Sequence, residues 1–282
     1  MDKKRIIELS IIASKVRKHA LTAVYSAQSG HPGGSLSVAD LLTLLYFEVM
    51  NVDPKNPKDP DRDRLVLSKG HCAPALYGTL AEKGYFPVED MKTFRNINSY
   101  LQGHPDMNKV PGIDMSTGSL GQGVCAAGGM ALAAKIDKKD YRVYSILGDG
   151  ELEEGQVWEQ AMFAPHYNLD NLTIFIDNNG LQIDGDITKV MNPTPIDKKF
   201  EAFGWHVIVT DAHDFEKLFL AIEEAKSVKG KPTAVIMKSV KGKNVSFMEN
   251  EAGWHGIAPN EEQYKQAIAE LDAKIAELEA EL

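Results

Sequence analysis

Two stretches decide the fold: Val143-Tyr-Ser-Ile-Leu147 running into Gly148-Asp149-Gly150, and Leu172-Thr-Ile-Phe-Ile176 running into Asp177-Asn178-Asn179-Gly180. Each is a short apolar run that stops at turn-forming residues, the pattern of a buried strand and the turn at its end. Between them Gln156 to Ala164 reads as a helix. Trp205-His-Val-Ile-Val209, a helix from Asp214 to about Ala225, and Thr233-Ala-Val-Ile-Met237 continue the alternation. Strand, helix, strand in succession predicts parallel strands joined by right-handed crossovers. The fold class is therefore α/β, an open parallel sheet with helices on both faces.

Toward the N-terminus, residues from Ile6 to about Ala27 carry apolar side chains at helical spacing, and Ser37 opens a second apolar helix running to Met50. Asn51 to Asp63 is dense in Pro, Asp and Asn and reads as a surface loop. It leads into the β-prone Arg64-Leu-Val-Leu67 and then Ser68-Lys-Gly-His71. At the other end Asn260 and Gln263 have capping-box spacing, and Tyr264, Ile268, Leu271, Ile275, Leu278 and Leu282 alternate steps of four and three. The expected division is a domain over residues 1–259 and a terminal helix over 260–282, packed on that domain or on a partner.

Composition narrows the class of function. A chain of 282 residues with 43% hydrophobic and 25% charged content can bury a sizeable core. Its net charge of −9 offers no broad basic surface for nucleic acid or an anionic membrane. Cys72 and Cys125 belong to no CxxC or CxxH pair, which argues against a disulfide framework and a thiolate zinc site. Lys3-Lys4-Arg5 precedes an apolar stretch, but Glu8, Ser10 and Lys15 interrupt it, so no membrane span of about 20 residues can be built. These features predict small-molecule chemistry in a reducing, cytoplasmic compartment.

Parallel strands deliver their carboxyl ends to one edge of the sheet, where open α/β folds bind ligands, so Asp149 and Asn179 are expected to face one crevice. A carboxylate and an amide oxygen are hard ligands suited to Mg²⁺ or Ca²⁺, whose remaining positions are commonly filled by phosphate oxygens and water. Gly148 and Gly150 would let the backbone approach phosphates, with N–H groups of the following helix added. Either motif alone is ordinary turn chemistry; the pair together reads as a diphosphate-metal site.

Four of the eight histidines touch a glycine: His31, His71, His104 and His255. Loops of this kind let backbone and imidazole both approach a ligand, and neutral imidazole suits hydroxyl recognition and proton transfer near pH 7. A solvated loop accounts for any one of them, and zinc is a rival reading of the set, but no HExxH or short-spaced pair is present. His19, His166, His206 and His213 sit in ordinary helix or strand contexts. Thr117-Gly-Ser-Leu-Gly-Gln-Gly123, running into an Ala-rich helix to about Ile136, fits either a ligand turn or close helix packing.

Seven motifs in order, Ser29-Gly-His-Pro-Gly-Gly34, Ser68-Lys-Gly-His71, Gly103-His-Pro105, Thr117-Gly-Ser-Leu-Gly-Gln122, Gly148-Asp-Gly-Glu-Leu-Glu-Glu-Gly155, Asp177-Asn-Asn179 and Trp254-His-Gly256, resemble the N-terminal, diphosphate-binding domain of the transketolase family. Twenty-seven residues, 151 to 177, separate the Gly-Asp-Gly from Asn178, a spacing similar to that of thiamine diphosphate enzymes. The resemblance implies that Asp149, Asn179 and the carbonyl of Leu181 bind Mg²⁺ or Ca²⁺. His71, Gly118, Ser119, Leu120, Gly148, Gly150, Asn179 and His255 would contact thiamine diphosphate. His31, His104 and His255 match substrate-contacting positions, and Glu154 matches an acidic residue that links cofactor sites across the subunit interface. Ser119 stands where the family often has Pro.

The implied reaction transfers a two-carbon ketol unit from a ketose phosphate to an aldose phosphate. Transketolases continue into a pyrimidine-binding domain, which carries the glutamate that activates the cofactor, and a C-terminal domain. The sequence stops before both, so the expectation is half of a cofactor site, completed by a second chain carrying the pyrimidine-binding domain in a hetero-oligomer with two copies of each chain. A split ketol transferase acting on another ketose, such as a branched sugar or dihydroxyacetone, and a non-catalytic thiamine diphosphate-binding module are the alternatives.

Overall fold

The computed structural model describes residues 1–282. In chain order it comprises α1 (Lys3–Ala27), α2 (Pro32–Leu44), β1 (Arg64–Leu67), α3 (Ala73–Lys83), α4 (Gln122–Ile136), β2 (Val143–Gly148), α5 (Gly155–His166) and β3 (Leu172–Asn178). A two-stranded hairpin, β4 (Leu181–Gln182) and β5 (Gly185–Asp186), follows, then α6 (Ile187–Val190), α7 (Ile196–Ala202), β6 (His206–Asp211), α8 (Phe215–Ser227), β7 (Thr233–Lys238) and α9 (Glu261–Glu279).

The main sheet has the order β1-β2-β3-β7-β6, and every pair in it is parallel. Its inner strands β2, β3 and β7 are buried, largely apolar runs because both faces are covered, whereas the edge strand β6 is only partly buried, and the two-residue period sorts successive side chains to opposite sides. Leu65, Leu67, Tyr144, Ile146, Phe175, Val235 and Met237 enter a core shared with α1, α2, α3 and α8. Val66, Val143, Leu147, Ile174, Ile176, Ala234 and Ile236 enter a second core under α4, α5 and α7. Because all strands run the same way, the segments after Leu67, Gly148, Asn178 and Lys238 emerge at one edge.

α1 is the spine of the first helical layer. The Asp2 side chain caps its start by accepting from the backbone N–H of Arg5 at 2.7 Å, and Gln28 closes its end in the left-handed region. α2 lies against it with all thirteen residues buried. The bidentate pair of Arg17 with Asp40 crosses between the two helices, and the ring of His213 meets Asp40 from the other side at 2.7 Å. The start of α2 differs from the expectation at Ser37: the helix begins at Pro32, whose fixed φ and missing N–H suit a first position. Its glycines are helical, not loop, and past Leu44 it widens into a π turn over Leu45–Val49.

α9 lies along α1, with Ile275 and Leu278 against Ile7 and Ile11 and Tyr264 stacked on Tyr25 at 4.1 Å. The Asn260–Gln263 capping box is formed in both directions. Leu282 falls past the helix and is exposed. No helix is long and apolar enough to cross a membrane.

Candidate active site

A cavity of about 410 Å³ opens at the carboxyl edge of the sheet, and only Leu120, Leu181 and Ile183 of its twenty lining residues are hydrophobic. Its floor is built around a buried ion pair. Lys69, just past β1, donates to Asp177 near the end of β3, and both side chains are sealed from solvent. Burial works against charge on both, but each stabilises the other: the ammonium holds the Asp177 carboxyl below its ordinary range, and the carboxylate holds Lys69 above its own. Ser37 of α2 donates to Asp177 at 2.6 Å, Ser239 past β7 donates as well, and Asn179 Nδ2 donates at 3.1 Å.

This network sets the direction of one amide. An ionised carboxylate only accepts, so the Asn179 NH₂ must face Asp177 and its Oδ1 must turn away, toward the N–H of Leu181 at 3.1 Å. Asp149 lies across the crevice at the end of β2, 2% exposed, accepting from the N–H of Gly150 at 2.9 Å and of Gly180 at 2.6 Å. Burial first, and then the neighbouring Asp177, push its carboxyl up to about 6. Asp149, Asn179 and Leu181 thus all line the cavity.

Glu151 joins the surrounding turns. It is 2% exposed and accepts from the Ser68 hydroxyl, from the N–H of Gly121 at 2.8 Å and from the N–H of Gly148 at 3.1 Å. The Thr117 hydroxyl donates to the Leu67 carbonyl at 2.7 Å. The segments touch so closely that a Cβ on Gly70 would lie 2.6 Å from Thr117 Oγ1, and one on Gly34, in the first turn of α2, would lie 2.8 Å from Cys72 Sγ. Glycine at both positions is a condition of closure. The residues next to Asp149 form a 3₁₀ turn over Gly150–Glu153, with α5 starting only at Gly155. The expected helix N-terminus is therefore displaced from Asp149, because Glu151 folds inward onto the backbone.

All four glycine-flanked histidines line the cavity. Ring centroids are 5.1 Å apart for His31 and His71, 5.3 Å for His31 and His255, 5.1 Å for His71 and His255 and 6.3 Å for His31 and His104. Burial is the leading cause that lowers each of them, reinforced by Arg95 at His31 and His104, by Lys69 at His71 and by Lys241 at His255. His31 falls to about 4 and His255 to about 3, so both rings are neutral at pH 7. His31 Nδ1 is sealed without a hydrogen-bond partner. His19, His206 and His213 pair with Glu82, Glu224 and Asp40 away from the cavity.

Of the remaining sequence candidates, Gly118, Leu120, Gly148, Gly150 and Glu154 line the cavity. Ser119 does not: it is exposed and its hydroxyl accepts from Gln122. Sequence reasoning passed over Lys69 and Asp177 as bare motif members and missed Glu151, Lys241 and the hairpin residues Gln182, Ile183 and Asp184, all of which line the cavity or its floor. The signal for Lys241 was its place just past a fourth parallel strand end; two-residue strands such as β4 and β5 leave no period to read.

The residues fit a divalent cation bound with a diphosphate. The donor set is carboxylate, amide oxygen and carbonyl, no cluster of three His, Cys, Asp or Glu side chains competes with it, and a Cβ on Gly150 would come within 2.9 Å of Gln182.

Residues 9–277 match the family model described as transketolase, thiamine diphosphate binding domain. The chain is 48% identical over 267 residues to the 6-deoxy-6-sulfo-D-fructose transketolase subunit SqwG of Clostridium sp. (strain MSTE9), covering 94% of this chain and 97% of that one. It is 43% identical to one of the subunits named for an apulose-4-phosphate transketolase in Phocaeicola vulgatus, with 97% of each covered. Human transketolase is 41% identical, but the match spans 97% of this chain and 44% of that protein. Among solved structures, a transketolase from Pichia stipitis superposes with a TM-score of 0.88 at 35% identity, over 97% of this chain and 44% of the other. With a cavity that unites all seven motifs and with these relatives along nearly its whole length, the chain belongs to the transketolase family through its thiamine diphosphate-binding domain.

Proposed function

We propose that this chain is the diphosphate- and metal-binding subunit of a two-chain, thiamine diphosphate-dependent transketolase that moves a two-carbon ketol unit from a ketose phosphate to an aldose phosphate. The observation that carries the reading is the meeting, in one cavity, of Asp149, Asn179 and Leu181 with the four glycine-flanked histidines. Asp149, the Asn179 amide oxygen and the Leu181 carbonyl would hold Mg²⁺ or Ca²⁺. His71, Gly118, Leu120, Gly148, Gly150 and His255 would hold the cofactor, which supplies when bound the carbanion chemistry that cleaves the bond beside a ketose carbonyl.

The chain's own part is binding, orientation and proton handling. Neutral imidazoles each offer one donor and one acceptor, so His31, His104 and His255 can hold sugar hydroxyls and pass protons without a charge in the way. Glu154 stands at the cavity's edge, where a contact with a neighbouring chain would reach it. With three hydrophobic lining residues, the cavity suits an anionic ligand end far better than the two faces of an aromatic ring. A partner chain carrying the pyrimidine-binding domain would supply that wall, in an assembly with two copies of each chain. The two relatives of nearly equal length, both named as subunits, support this division.

Their names also support a second reading, in which the donor is a sulfonated or branched sugar. The test is reconstitution with the partner chain, thiamine diphosphate and Mg²⁺, assayed on a panel of phosphorylated, sulfonated and branched ketoses. Turnover is expected only with both chains, and His104→Ala is expected to lower it ~10²–10⁴-fold. Full ketol transfer by the chain alone would refute the need for a partner, and exclusive use of a sulfonated or branched donor would move the assignment to the second reading.

A further inference from the structure

One cation in the cavity wall belongs to none of the seven motifs. Lys241 lies just past the carboxyl end of β7 and is 2% exposed. Its ammonium donates to the carbonyl of Leu181 at 3.1 Å and meets Nδ1 of His255 at 3.1 Å. Its placement is built: the N–H of Gly242 donates to the Gly33 carbonyl at 2.9 Å, and the N–H of Asn250 donates to the carbonyl of Lys241 at 2.9 Å. The lysine stem lies on the bare α-carbon of Gly33, where a Cβ would come within 3.1 Å of Lys241 Cγ and 2.8 Å of the Trp254 carbonyl.

The chemistry of this contact runs one way. An ammonium has three donors and no lone pair, so Nδ1 of His255 must present its lone pair, and the proton of the neutral ring must sit on Nε2. Nε2 has no hydrogen-bond partner in the chain and is not among its sealed polar atoms. It is therefore open to a ligand in the cavity that His255 lines. The Leu181 carbonyl has two lone pairs, so its bond to Lys241 leaves one for a cation.

We propose that Lys241 is a positioning residue that locks His255 in the Nε2–H tautomer, so that this histidine acts as a hydrogen-bond donor toward an oxygen of the bound substrate or cofactor. The role in turnover rests on the transketolase reading; the tautomer does not. Burial, and after it the Lys241 ammonium, lower His255 far enough that the doubly protonated ring does not compete near neutral pH.

The test is a two-bond ¹⁵N–¹H correlation spectrum of the full chain labelled at histidine, at pH 7, with His255 assigned by its loss in His255→Gln. Wild type and Lys241→Arg are expected to show His255 protonated at Nε2 with Nδ1 accepting. Lys241→Met is expected to give a mixture of tautomers and, in the reconstituted complex, a ~10–100-fold loss of turnover, by analogy with the cost of removing an outer partner that orients a metal-bound imidazole. Circular dichroism checks that each variant is folded. A proton on Nδ1 in wild type, an unchanged tautomer in Lys241→Met, or full turnover of Lys241→Met would each overturn the proposal. A locked tautomer in a wild-type complex with no ketol transfer would count against the transketolase reading and leave the lock standing.

Discussion

Replacing Lys69 by methionine tests whether charge burial holds the floor of the site. The substitution keeps most of the volume but strands the Asp177 carboxylate, which is 0% exposed. Removing one partner of a buried ion pair costs about 3–5 kcal/mol, because the other charge stays desolvated. Asp177 would keep the Ser37 and Ser239 hydroxyls and the Asn179 amide, and bonds to a charged acceptor are each worth ~1.5–3 kcal/mol. The loss should therefore fall at the low end, about 3 kcal/mol, a large share of a typical total of ~5–15 kcal/mol. With a urea slope of ~3 kcal/mol per M, the midpoint drops by about 1 M. Lys69→Met combined with Asp177→Asn removes the stranded charge and should recover about 1–2 kcal/mol relative to Lys69→Met alone. The assay is equilibrium urea unfolding at pH 7, followed in parallel by far-UV circular dichroism and tryptophan fluorescence so that coincident transitions certify two-state behaviour. A Lys69→Met midpoint equal to wild type, or a double variant less stable than the single one, would refute the reasoning.

Asp149→Asn removes the carboxylate from the expected cation site while keeping its shape, so calorimetric titration should show Mg²⁺-dependent thiamine diphosphate binding weakened by at least about 100-fold, since a Mg²⁺ site leans on one or two carboxylates. Binding within a few-fold of wild type would count against Asp149 as a ligand. Asp40 sets an acid limit on stability. Burial opposes its ionisation, yet Arg17 and then His213 hold its carboxyl below the ordinary 3.8. A folded value below the unfolded one means stability that is present above about pH 4 and is lost as pH falls toward the folded value. Urea midpoints taken between pH 5 and pH 2.5 should fall more steeply for wild type than for Asp40→Asn, and equal slopes would show that the buried Arg17–Asp40 pair carries no such linkage.

The period of the apolar runs determined much from sequence alone. Val143–Leu147 and Leu172–Ile176 are short, mostly apolar runs bounded by turn residues, the pattern of strands covered on both faces, and their alternation with helices points to parallel order. Parallel order in turn sends Asp149 and Asn179 to one edge, which is why their meeting in one cavity was legible in the residues themselves. The four glycine-flanked histidines could be named as a set, but not their separations, because they come from four loops far apart in the chain.

Tertiary structure alone decided the groups that act through other groups. Lys69 and Asp177 are ordinary surface residue types whose meaning lies in being sealed together, and sealing depends on Ser37 and Ser239 arriving from α2 and from past β7. Glu151 looks like one more acidic turn residue until three loops present their donors to it. Lys241 has no motif, because a lysine near a strand end is normally solvated; only the bare α-carbon of Gly33 and the ring of His255 give it a direction. Local pattern is written in neighbouring residues and is legible there. Desolvation and hydrogen-bond direction depend on which distant segments close over a side chain, and only the folded chain holds that information.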